Sequence, residues 1–250
     1  MPKFSIITVA YNSAKTIRQT IESVLGQTYT DLEYIIVDGL SGDGTAAIAR
    51  EYAPGFADKG MPYRVISEKD SGIFDAMNKG IRLASGELVG LINSDDWYEP
   101  YALETVTRAY ETVPFDVFYA SLRLHIRDRT LIKRSKWDRL PSTRNWNHPT
   151  TFIRKSVYEV HKYACKNDYD DWDLMLRLRK QGYCFVIGEE VLANFRYGGL
   201  STKKDITRIP KRIADRYEIY RANGYSRLYW LECVAVELAK YIISQGSCGF

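Results

Sequence analysis

Two neighbouring carboxylates follow a short apolar run in the first half of the chain. The segment Asn93–Asp96 comes directly after a predicted buried strand, Glu87–Ile92. Adjacent carboxylates repel each other unless a cation lies beside them, and hard oxygen ligands favour Mg²⁺ or Mn²⁺. Such a cation, held by Asp95 and Asp96, would bridge to a diphosphate. The alternative is an Asx turn before the helix that begins near Pro100.

A second group of acids lies at the predicted start of a helix in the second half. Asp170, Asp171 and Asp173 precede or open the helical segment that includes Leu174–Gln181. Acids in a first turn suit the helix dipole, so capping is one explanation. The alternative is that one of them is a general base, which must be ionised and within reach of the proton that it removes.

Three further positions suit a ligand-binding loop. Asp38 ends a predicted buried strand and precedes Gly39; a carboxylate there accepts hydrogen bonds from a nucleobase or ribose, although Asp-Gly is also a common turn. His148 lies in a loop, where a structural role is the alternative to a catalytic one. Gly198 and Gly199 form a hinged loop that either closes over a ligand or simply connects a strand to a helix.

Several motifs of other enzyme classes are absent from the sequence. The loop after the first predicted strand, Ala10–Ser13, contains no glycine, which argues against a Rossmann dinucleotide site. The GxxxxGK[ST], GxSxG and HExxH patterns do not occur, and the four cysteines form no CxxC pair. We therefore expect reduced thiols in a cytosolic protein. The sequence shows no secretory signal pattern and no apolar run of membrane-spanning length.

The composition is that of an ordinary globular protein, with 250 residues of which 45% are hydrophobic and 26% charged. It excludes a disordered tail, a collagen-like fibre and a small disulfide scaffold. Residues 1–100 carry 9 Lys and Arg against 14 Asp and Glu, whereas residues 101–250 carry 26 against 17. The acidic part suits a cation, and the basic part suits a phosphate-bearing partner or an anionic membrane surface, unless the asymmetry is only an uneven solvated surface. We expect no nucleic-acid partner.

The apolar pattern indicates the elements that must position these residues. We predict strands at Phe4–Val9, Tyr34–Val37, Tyr63–Ser67 and Glu87–Ile92, and helices at Ile17–Leu25, Ala46–Tyr52 and Gly72–Ala84. This alternation predicts an α/β fold with a mostly parallel sheet and helices on both faces. Ligands bind beyond the carboxyl ends of the strands in such sheets, and the polar clusters follow those ends.

The pattern becomes less regular after Tyr101. We predict a helix that includes Leu103, Val106 and Tyr110, and two helices from Asp205 onward that separate near Asn223-Gly224. The other predicted elements are strands at Asp116–Ile126, Thr130–Lys136 and Tyr183–Ile187 and helices at Lys155–Lys162 and Asp171–Gln181. His148 then falls in a long loop between a strand and a helix.

Five segments, in this order and spacing, resemble family 2 glycosyltransferases of the GT-A fold, close to the bacterial polysaccharide-assembly members. Ser5–Asn12 looks like the family's first strand and nucleotide loop, and Glu33–Thr45 looks like its VDDGSTDGT segment. Asp70–Gly80 is similar to the next donor-contacting stretch. Gly86–Asp96 looks like the strand that leads to the DxD metal motif, and Asp170-Asp171 occupies the place of the ED pair. The resemblance runs from Phe4 to about Ser201, most of the chain.

The resemblance implies a role for each of these residues. Asp171 would take the proton of the acceptor hydroxyl, and Asp95, helped by Asp96, would hold Mn²⁺ or Mg²⁺ against the donor diphosphate. His148, Asp170 and the loop of Gly198 and Gly199 would border the acceptor. The nucleotide sugar would be held by a larger set, namely Thr8, Ala10, Tyr11, Asn12, Asp38, Asp70, Gly72, Ile73, Asn78, Lys79, Ser94 and Asp95.

Three departures from the family pattern bear on the mechanism. Asn93 stands at the first DxD position, so one anionic ligand is missing and weaker metal affinity is expected. Asp170-Asp171 replaces Glu-Asp, which leaves Asp170 and Asp173 as alternative bases. The QxxRW motif of the family's processive members is absent, which favours transfer of a single sugar.

The resemblance implies an inverting transfer of one sugar from a UDP-hexose or UDP-N-acetylhexosamine to an acceptor hydroxyl of a lipid-linked glycan in surface polysaccharide assembly. It assigns residues 1–100 to the nucleotide-sugar half and 101–202 to the acceptor half of one GT-A domain, followed by a helical extension, 203–250. A nucleotidyltransferase is one alternative, although its glycine-rich basic phosphate loop is absent. A non-catalytic nucleotide-sugar-binding subunit is the other, although a pure binder needs no base.

The C-terminal extension combines basic and apolar stretches. Residues 203–227 hold eight basic and three acidic residues, and the next stretch is apolar and aromatic, interrupted by Glu232, Glu237 and Lys240. Such helices suit docking on an anionic leaflet, which predicts a cytoplasmic protein peripheral at the inner face of the cell membrane. The alternative is that the second helix covers the catalytic domain or a partner subunit. The interrupting charges exclude a transmembrane span.

Overall fold

The computed structural model describes residues 3–198 and 206–245, which form one mixed sheet flanked by helices. The nine strands of this part are β1 Phe4–Ala10, β2 Leu32–Asp38, β3 Tyr63–Ser67, β4 Leu88–Leu91, β5 Trp97–Tyr98, β6 Val117–Ile126, β7 Arg129–Lys133, β8 Phe152–Arg154 and β9 Phe185–Arg196. The α-helices are α1 Ile17–Leu25, α2 Thr45–Arg50, α3 Ala53–Asp58, α4 Ile73–Leu83, α5 Ala102–Thr112, α6 Lys155–Val160, α7 Asp170–Lys180, α8 Ile209–Ala222 and α9 Tyr229–Gln245. The strand order is β3-β2-β1-β4-β8-β6-β9-β5, and β7 pairs with β6.

The first four strands pair in parallel, as the alternation of strands and helices predicts, and β6 and β9 form a second parallel pair. β1 pairs with β2 and β4, and β2 pairs with β3, all in parallel. Every residue of β1 and β2 is buried, because both faces of these apolar strands are covered. Alternate residues enter two cores: Ile7 and Val9 share one with α4, and Phe4 and Ile6 share the other with α1. The predicted α/β class is therefore confirmed.

The apolar pattern does not reveal two short strands of the sheet, β5 and β8. β8 runs antiparallel to β4 and β6, and β5 runs antiparallel to β9. β5 and β8 have two and three residues, too few for an alternating pattern to be detected. β9 continues to Arg196 instead of ending at Ile187, and the exposed Glu189 and Glu190 interrupt its apolar run. The longer β9 brings Arg196 back to the edge of the sheet where β4 ends.

The last two helices pack against α7 and share its core. Tyr220 of α8 stacks on Tyr229 of α9 with the ring centroids 4.2 Å apart. Cys233 is wholly buried in the same cluster as Trp172 of α7. The alternative that the last helix covers the catalytic domain is therefore confirmed. The first basic residues of the extension, 203–204, lie outside the described part of the chain.

The described part of the chain includes three of the four cysteines and all nine α-helices named above. Cys165, Cys184 and Cys233 are free, as predicted, and Cys248 lies outside the described residues. Across residues 3–198 and 206–245, no helix has both the length and the apolar character that crossing a bilayer requires.

Candidate active site

Two loops at the carboxyl ends of β1 and β2 are joined by hydrogen bonds around Asp38. Its buried carboxylate accepts from the Ser67 hydroxyl at 2.6 Å, from the Ser41 backbone N–H at 3.1 Å and from the Ser41 hydroxyl. Ser41 Oγ accepts in turn from the backbone N–H of Asn12 at 2.8 Å. Asn12 has a positive φ of 50°, a conformation that asparagine tolerates. Asp38 thus holds the loops in place, and its contact with a nucleotide stays a prediction.

Tyr11, Gly39 and Asp70 converge beside these loops. A Cβ atom at Gly39 would come within 2.5 Å of Asp70 Oδ2 and 3.3 Å of Tyr11 Cδ2, so this approach requires glycine. The Tyr11 side chain is 66% exposed, and Asp70 accepts from the backbone N–H of Gly72 at 2.9 Å. An exposed aromatic ring beside a carboxylate offers a stacking surface and an acceptor, which are the contacts that a nucleoside needs.

Three of the residues predicted to hold the nucleotide sugar have side chains inside the fold. Thr8 is wholly buried, and its hydroxyl accepts from Tyr34 OH at 2.9 Å. Ala10 is buried at the end of β1. The Asn78 amide bonds the backbone N–H and carbonyl of Tyr163 at 3.2 and 3.0 Å. These hydrogen bonds help to pack β1 and α4, and the contacts of Thr8 and Asn78 with a nucleotide sugar stay a prediction.

The start of α4 presents backbone and an apolar side chain. Gly72 has a φ of 124°, which favours glycine, and the next residue, Ile73, is exposed. Lys79 Nζ lies 2.9 Å from Glu68 Oε1 and donates to the carbonyl of Lys69 at 2.7 Å. The hydrogen bond to Glu68 raises the pKa of Lys79. Lys79 thus braces the loop before α4, and its contact with a diphosphate stays a prediction.

The loop after β4 places its two acids in different environments. Ser94 Oγ and Ser13 Oγ lie 2.7 Å apart, which fixes this loop against the first one. Asp96 is wholly buried and accepts from the backbone N–H of Arg196 at 3.1 Å, whereas Asp95 is partly exposed. Burial raises the pKa of both carboxyl groups, and the charge of Asp95 raises that of Asp96 further. The positive charge of Arg196 opposes both shifts.

These acids fit a divalent cation if the donor supplies most of the ligands. Among the described residues there is no group of three or more His, Cys, Asp or Glu side chains that could hold a metal ion. Asp95 offers a partly exposed hard oxygen ligand, and Arg196 is the positive charge that acts on it. Oδ1 of Asp96 accepts from Arg196 and braces the loop, whereas its buried Oδ2 has no hydrogen-bond partner within the described part of the chain. The predicted contact of Asp96 with a metal ion stays a prediction. Mg²⁺ commonly binds through one or two carboxylates plus substrate phosphates, which matches this arrangement.

The other acidic cluster borders a cavity in the second half of the chain. Asp171, at the start of α7, lines a small cavity together with His148, Trp146 and Leu91. Leu91 ends β4, so the cavity lies beside the strand that leads to Asp95. Burial raises the pKa of Asp171, and the positive potential of His148 opposes the shift. Burial lowers the pKa of His148, and Asp171 opposes that shift in turn.

The three acids at the start of α7 differ in their contacts. Asp170 is buried and accepts from two backbone N–H groups of the preceding turn at 2.7 and 3.3 Å, so it caps that turn and does not border the cavity. Asp173 accepts from the side chains of Arg177 and Asn223 at 2.9 and 2.7 Å. Asp171 is the one of the three that lines the cavity, and within residues 3–198 and 206–245 its side chain accepts a local bond from the next backbone N–H. This favours Asp171 as the base.

Arg196 is a site residue whose role the sequence does not indicate. Its guanidinium lies 5.2 Å from the centroid of the Trp97 ring and donates to Gln19 Oε1 at 2.6 Å. Gln19 is 177 residues away in the chain, so no local pattern marks the contact. Gly198, two residues further on, has a φ of 125°, which suits a hinge. Gly199, the other glycine predicted near the acceptor, lies outside the described residues.

Comparison with solved structures identifies the fold. Staphylococcus aureus TarS 1–349 in complex with UDP-GlcNAc superposes with a TM-score of 0.69 and 18% identity, covering 96% of this chain and 72% of that one. The mannosyltransferase PcManGT from Pyrobaculum calidifontis, in complex with GDP-Man and Mn²⁺, gives 0.67 and 15%, covering 100% and 76%. The fold is that of the GT-A glycosyltransferases, as predicted.

Sequence comparison gives the family. The model of glycosyl transferase family 2 matches residues 5–166, so the chain belongs to that family. A Mycobacterium bovis (strain BCG / Pasteur 1173P2) protein named PGL/p-HBAD biosynthesis glycosyltransferase is 29% identical over 224 residues, 84% of each chain. The predicted glycosyltransferase class is therefore confirmed. The helices α7, α8 and α9 lie beyond the matched segment.

Proposed function

We propose that the protein transfers a single sugar from a UDP-hexose or UDP-N-acetylhexosamine to a hydroxyl of a lipid-linked glycan, with inversion, in surface polysaccharide biosynthesis. The observation that carries the proposal is the cavity in which Asp171 lies with His148, beside the strand that leads to Asp95. An in-line displacement at an anomeric carbon requires a base for the acceptor hydroxyl. It also requires a group nearby, here a carboxylate that can hold a cation, to stabilise the leaving diphosphate. The UDP-GlcNAc bound by the structurally similar TarS supports a UDP donor.

In this mechanism Asp171 accepts the proton of the acceptor hydroxyl as the oxygen attacks the anomeric carbon. The attack comes from the side opposite the leaving diphosphate, so a single displacement inverts the configuration. The raised pKa of Asp171 brings the carboxylate closer to the operating pH, which favours proton uptake in the transition state. Burial lowers the pKa of His148, which favours its neutral imidazole and weakens any ion pair with the Asp171 carboxylate.

The donor would lie along the carboxyl ends of β1, β2 and β4. Tyr11 and Asp70 would contact the nucleoside, and Asp95 would hold Mg²⁺ or Mn²⁺ together with oxygens of the diphosphate. The cation, when bound, neutralises charge that develops on the leaving diphosphate. Arg196 supplies a fixed positive charge beside the same loop, which supports a diphosphate there.

A panel of nucleotide sugars tests the proposal. Each donor is measured with and without lipid-linked acceptors, and the readouts are nucleotide release and the melting temperature. We expect one UDP-sugar to raise the melting temperature and to release UDP, because a ligand that binds the native state stabilises it. Release of pyrophosphate would indicate a nucleotidyl transfer. Binding without any release of UDP would leave the non-catalytic binding subunit as the function.

We expect Asp38→Ala to weaken UDP binding by about 1–3 kcal/mol, the cost of leaving buried polar partners unpaired. The substitution removes the acceptor for Ser41 and Ser67, so the loop beside Tyr11 loses its anchor. Titration calorimetry with UDP measures the effect. Ser67→Ala removes one donor and keeps the carboxylate, so it should have a smaller effect. An unchanged dissociation constant in Asp38→Ala would reduce Asp38 to a turn residue.

We also propose that the C-terminal helices contact the membrane surface at the cytoplasmic side. α9 packs one face on the domain, whereas Trp230, Leu231 and Leu238 on the rest of the helix are 50%, 62% and 48% exposed. Exposed basic residues lie on α8 and the turn that follows, among them Arg221 and Arg227. Apolar and aromatic side chains rimmed by cations suit an anionic leaflet, which would bring the site to a lipid-linked acceptor.

We expect the parent chain to co-sediment with vesicles that contain phosphatidylglycerol, and the double variant Trp230→Gln, Leu231→Gln to lose most of that binding. Each inserted apolar side chain contributes about 1.5–3 kcal/mol, so two polar replacements should release the protein. Truncation is less suitable, because it would remove the buried Tyr229 and Cys233. Val113→Gln, at an exposed position after α5, is the control. Equal, salt-insensitive sedimentation of all three proteins would reject the membrane contact.

A further inference from the structure

Lys133 and Arg216 meet at Thr143, next to the Asp171 cavity. Lys133 Nζ donates to the carbonyl oxygens of Trp146 and Thr143 at 2.7 and 2.9 Å. Arg216 Nη1 donates to Thr143 Oγ1 at 2.7 Å. Trp146 lines the cavity that contains Asp171. A lysine at the end of β7 and an arginine of α8 are therefore both anchored to the segment that borders the candidate acceptor site.

Glu237 of α9 connects a third base, Lys240, to this group. Its carboxylate lies 2.8 Å from Arg216 and 3.1 Å from Lys240, and it accepts from the Tyr169 hydroxyl at 3.0 Å. Arg216 and Glu237 have side chains that are 0% and 1% exposed, whereas that of Lys240 is 35% exposed. Lys240 Nζ also lies 5.6 Å from the centroid of the Tyr169 ring, two residues before Asp171. We call Lys133, Arg216 and Lys240 the basic cluster.

The basic cluster sets three basic side chains against one neighbouring carboxylate. Among the described residues, the carboxylate within salt-bridge distance of the cluster is that of Glu237, which faces both Arg216 and Lys240. Burial lowers the pKa of Lys133 to about 7, Lys240 and Arg216 lower it further, and Asp171 opposes them. Burial and the charge of Arg216 also lower the pKa of Lys240. A bound anion would relieve this repulsion.

We propose that the basic cluster binds the phosphate group of a phosphorylated acceptor, which enters beside Lys240, the member with the exposed ammonium group. The proposal rests on the proposed transfer to a lipid-linked glycan, in which a phosphate or diphosphate joins the first sugar to the lipid. The anchoring of Lys133 to Trp146, and the contact of Lys240 with Tyr169, place the cluster against both segments that carry the Asp171 cavity. A phosphate held there would leave a hydroxyl of the attached sugar free to approach Asp171.

Both the donor and a lipid-linked acceptor carry phosphate groups. The position of the basic cluster in the fold indicates which of the two it faces. The Tyr197 hydroxyl donates to the Lys240 carbonyl at 3.1 Å, and Tyr197 follows the Arg196 that accompanies Asp95. The loop after β4 already offers Asp95 and Arg196 to the donor diphosphate. The anchors of the basic cluster, in contrast, are residues 143–146 and Tyr169, which belong to the acceptor half. We therefore assign the cluster to the acceptor.

Titration calorimetry with inorganic pyrophosphate, in metal-free buffer and at saturating UDP, tests this assignment. We expect the parent chain to bind pyrophosphate while UDP is bound, and Lys240→Met to weaken that binding about tenfold or more, the loss of one charge-assisted contact. Lys133→Met leaves two carbonyls unpaired, so Lys133→Arg is measured beside it and should retain binding. Lys136→Met changes an exposed lysine three residues from Lys133 and should bind like the parent.

Each other outcome contradicts a specific part of the proposal. If UDP displaces pyrophosphate from the parent chain, the phosphate site belongs to the donor and the acceptor assignment is wrong. If Lys240→Met binds pyrophosphate as tightly as the parent chain does, the basic cluster is a structural network and not a ligand site. Failure of the transfer function is a separate result, because it appears as the absence of UDP release by the parent chain and does not depend on pyrophosphate binding.

Discussion

We expect the Asp171→Asn variant to turn over about 10²–10⁴-fold more slowly than the parent chain, with the same affinity for the donor. The amide keeps the shape of the side chain and its position in the first turn of α7, but it cannot accept the proton of the acceptor hydroxyl. Asp171 lines the cavity with His148, and in the described part of the chain its carboxylate accepts a local hydrogen bond from the Trp172 backbone N–H. Steady-state release of UDP and titration of the donor measure the two quantities.

The neighbouring acids provide controls for this result. Asp168→Asn changes an acid whose side chain is 66% exposed and should leave turnover unchanged. Asp170→Asn and Asp173→Asn should lower the melting temperature, because these carboxylates hold the preceding turn and the side chains of Arg177 and Asn223. Near-normal turnover in Asp171→Asn, together with a large loss in either of the other two, would move the base to that residue.

The pH dependence gives an independent check of the same role. Burial favours the neutral form of Asp171, so its pKa lies above the usual range of an aspartate. The base must be ionised, and activity should therefore fall as the pH is lowered through this raised pKa. The positive potential of His148 and the charge of Lys240 act against the shift, whereas the charge of Asp170 adds to it. The residual activity of Asp171→Asn should lack this acidic limb.

The acidic ends of β2 and β4 could be predicted from the sequence because they depend on local order. Apolar runs that are buried on both faces define the strands, and a parallel sheet brings their carboxyl ends to one edge. Asp38 and Asp95 therefore fall near one another in any fold of this class. The roles of individual side chains were less predictable. Thr8 points into the core towards Tyr34. A strand that is buried on both faces has no alternating pattern, so the sequence does not indicate this direction.

The acceptor half depends on contacts between distant segments, which a single sequence does not reveal. β8 has three residues, and it joins β4 to β6 only through pairing with both. Arg216 and Glu237 are 21 residues apart on different helices, and Arg216 reaches Thr143 over 73 residues. A run of basic residues in the extension suggested a solvated or membrane-facing surface. Packing of α8 and α9 instead buries one of those cations, Arg216, against the catalytic domain.

We expect Asp95→Ala, or removal of divalent metal with EDTA, to reduce sugar transfer by about 10²-fold or more, because a cation at the leaving diphosphate supplies several kcal/mol in the transition state. Asn93→Ala, two residues earlier in the same loop, should have a much smaller effect, because an amide is a weaker ligand than a carboxylate. Asp96→Asn should lower the melting temperature, since its carboxylate anchors the Arg196 backbone, while the metal requirement remains. Full activity in EDTA would show that the reaction needs no metal.

The residues around Asp95 predict that binding of the cation depends on the nucleotide. Asp96 is buried, and the described residues contain no group of three side chains that could hold a metal ion. The diphosphate must then complete the coordination, so the protein should bind Mn²⁺ tightly only when UDP is present. By linkage, Mn²⁺ should strengthen UDP binding by the same factor. Calorimetric titrations of Mn²⁺ with and without UDP measure this coupling, and Asp95→Ala should abolish it. Equal Mn²⁺ affinity in both titrations would contradict this expectation, because it would mean that the protein supplies a complete site of its own.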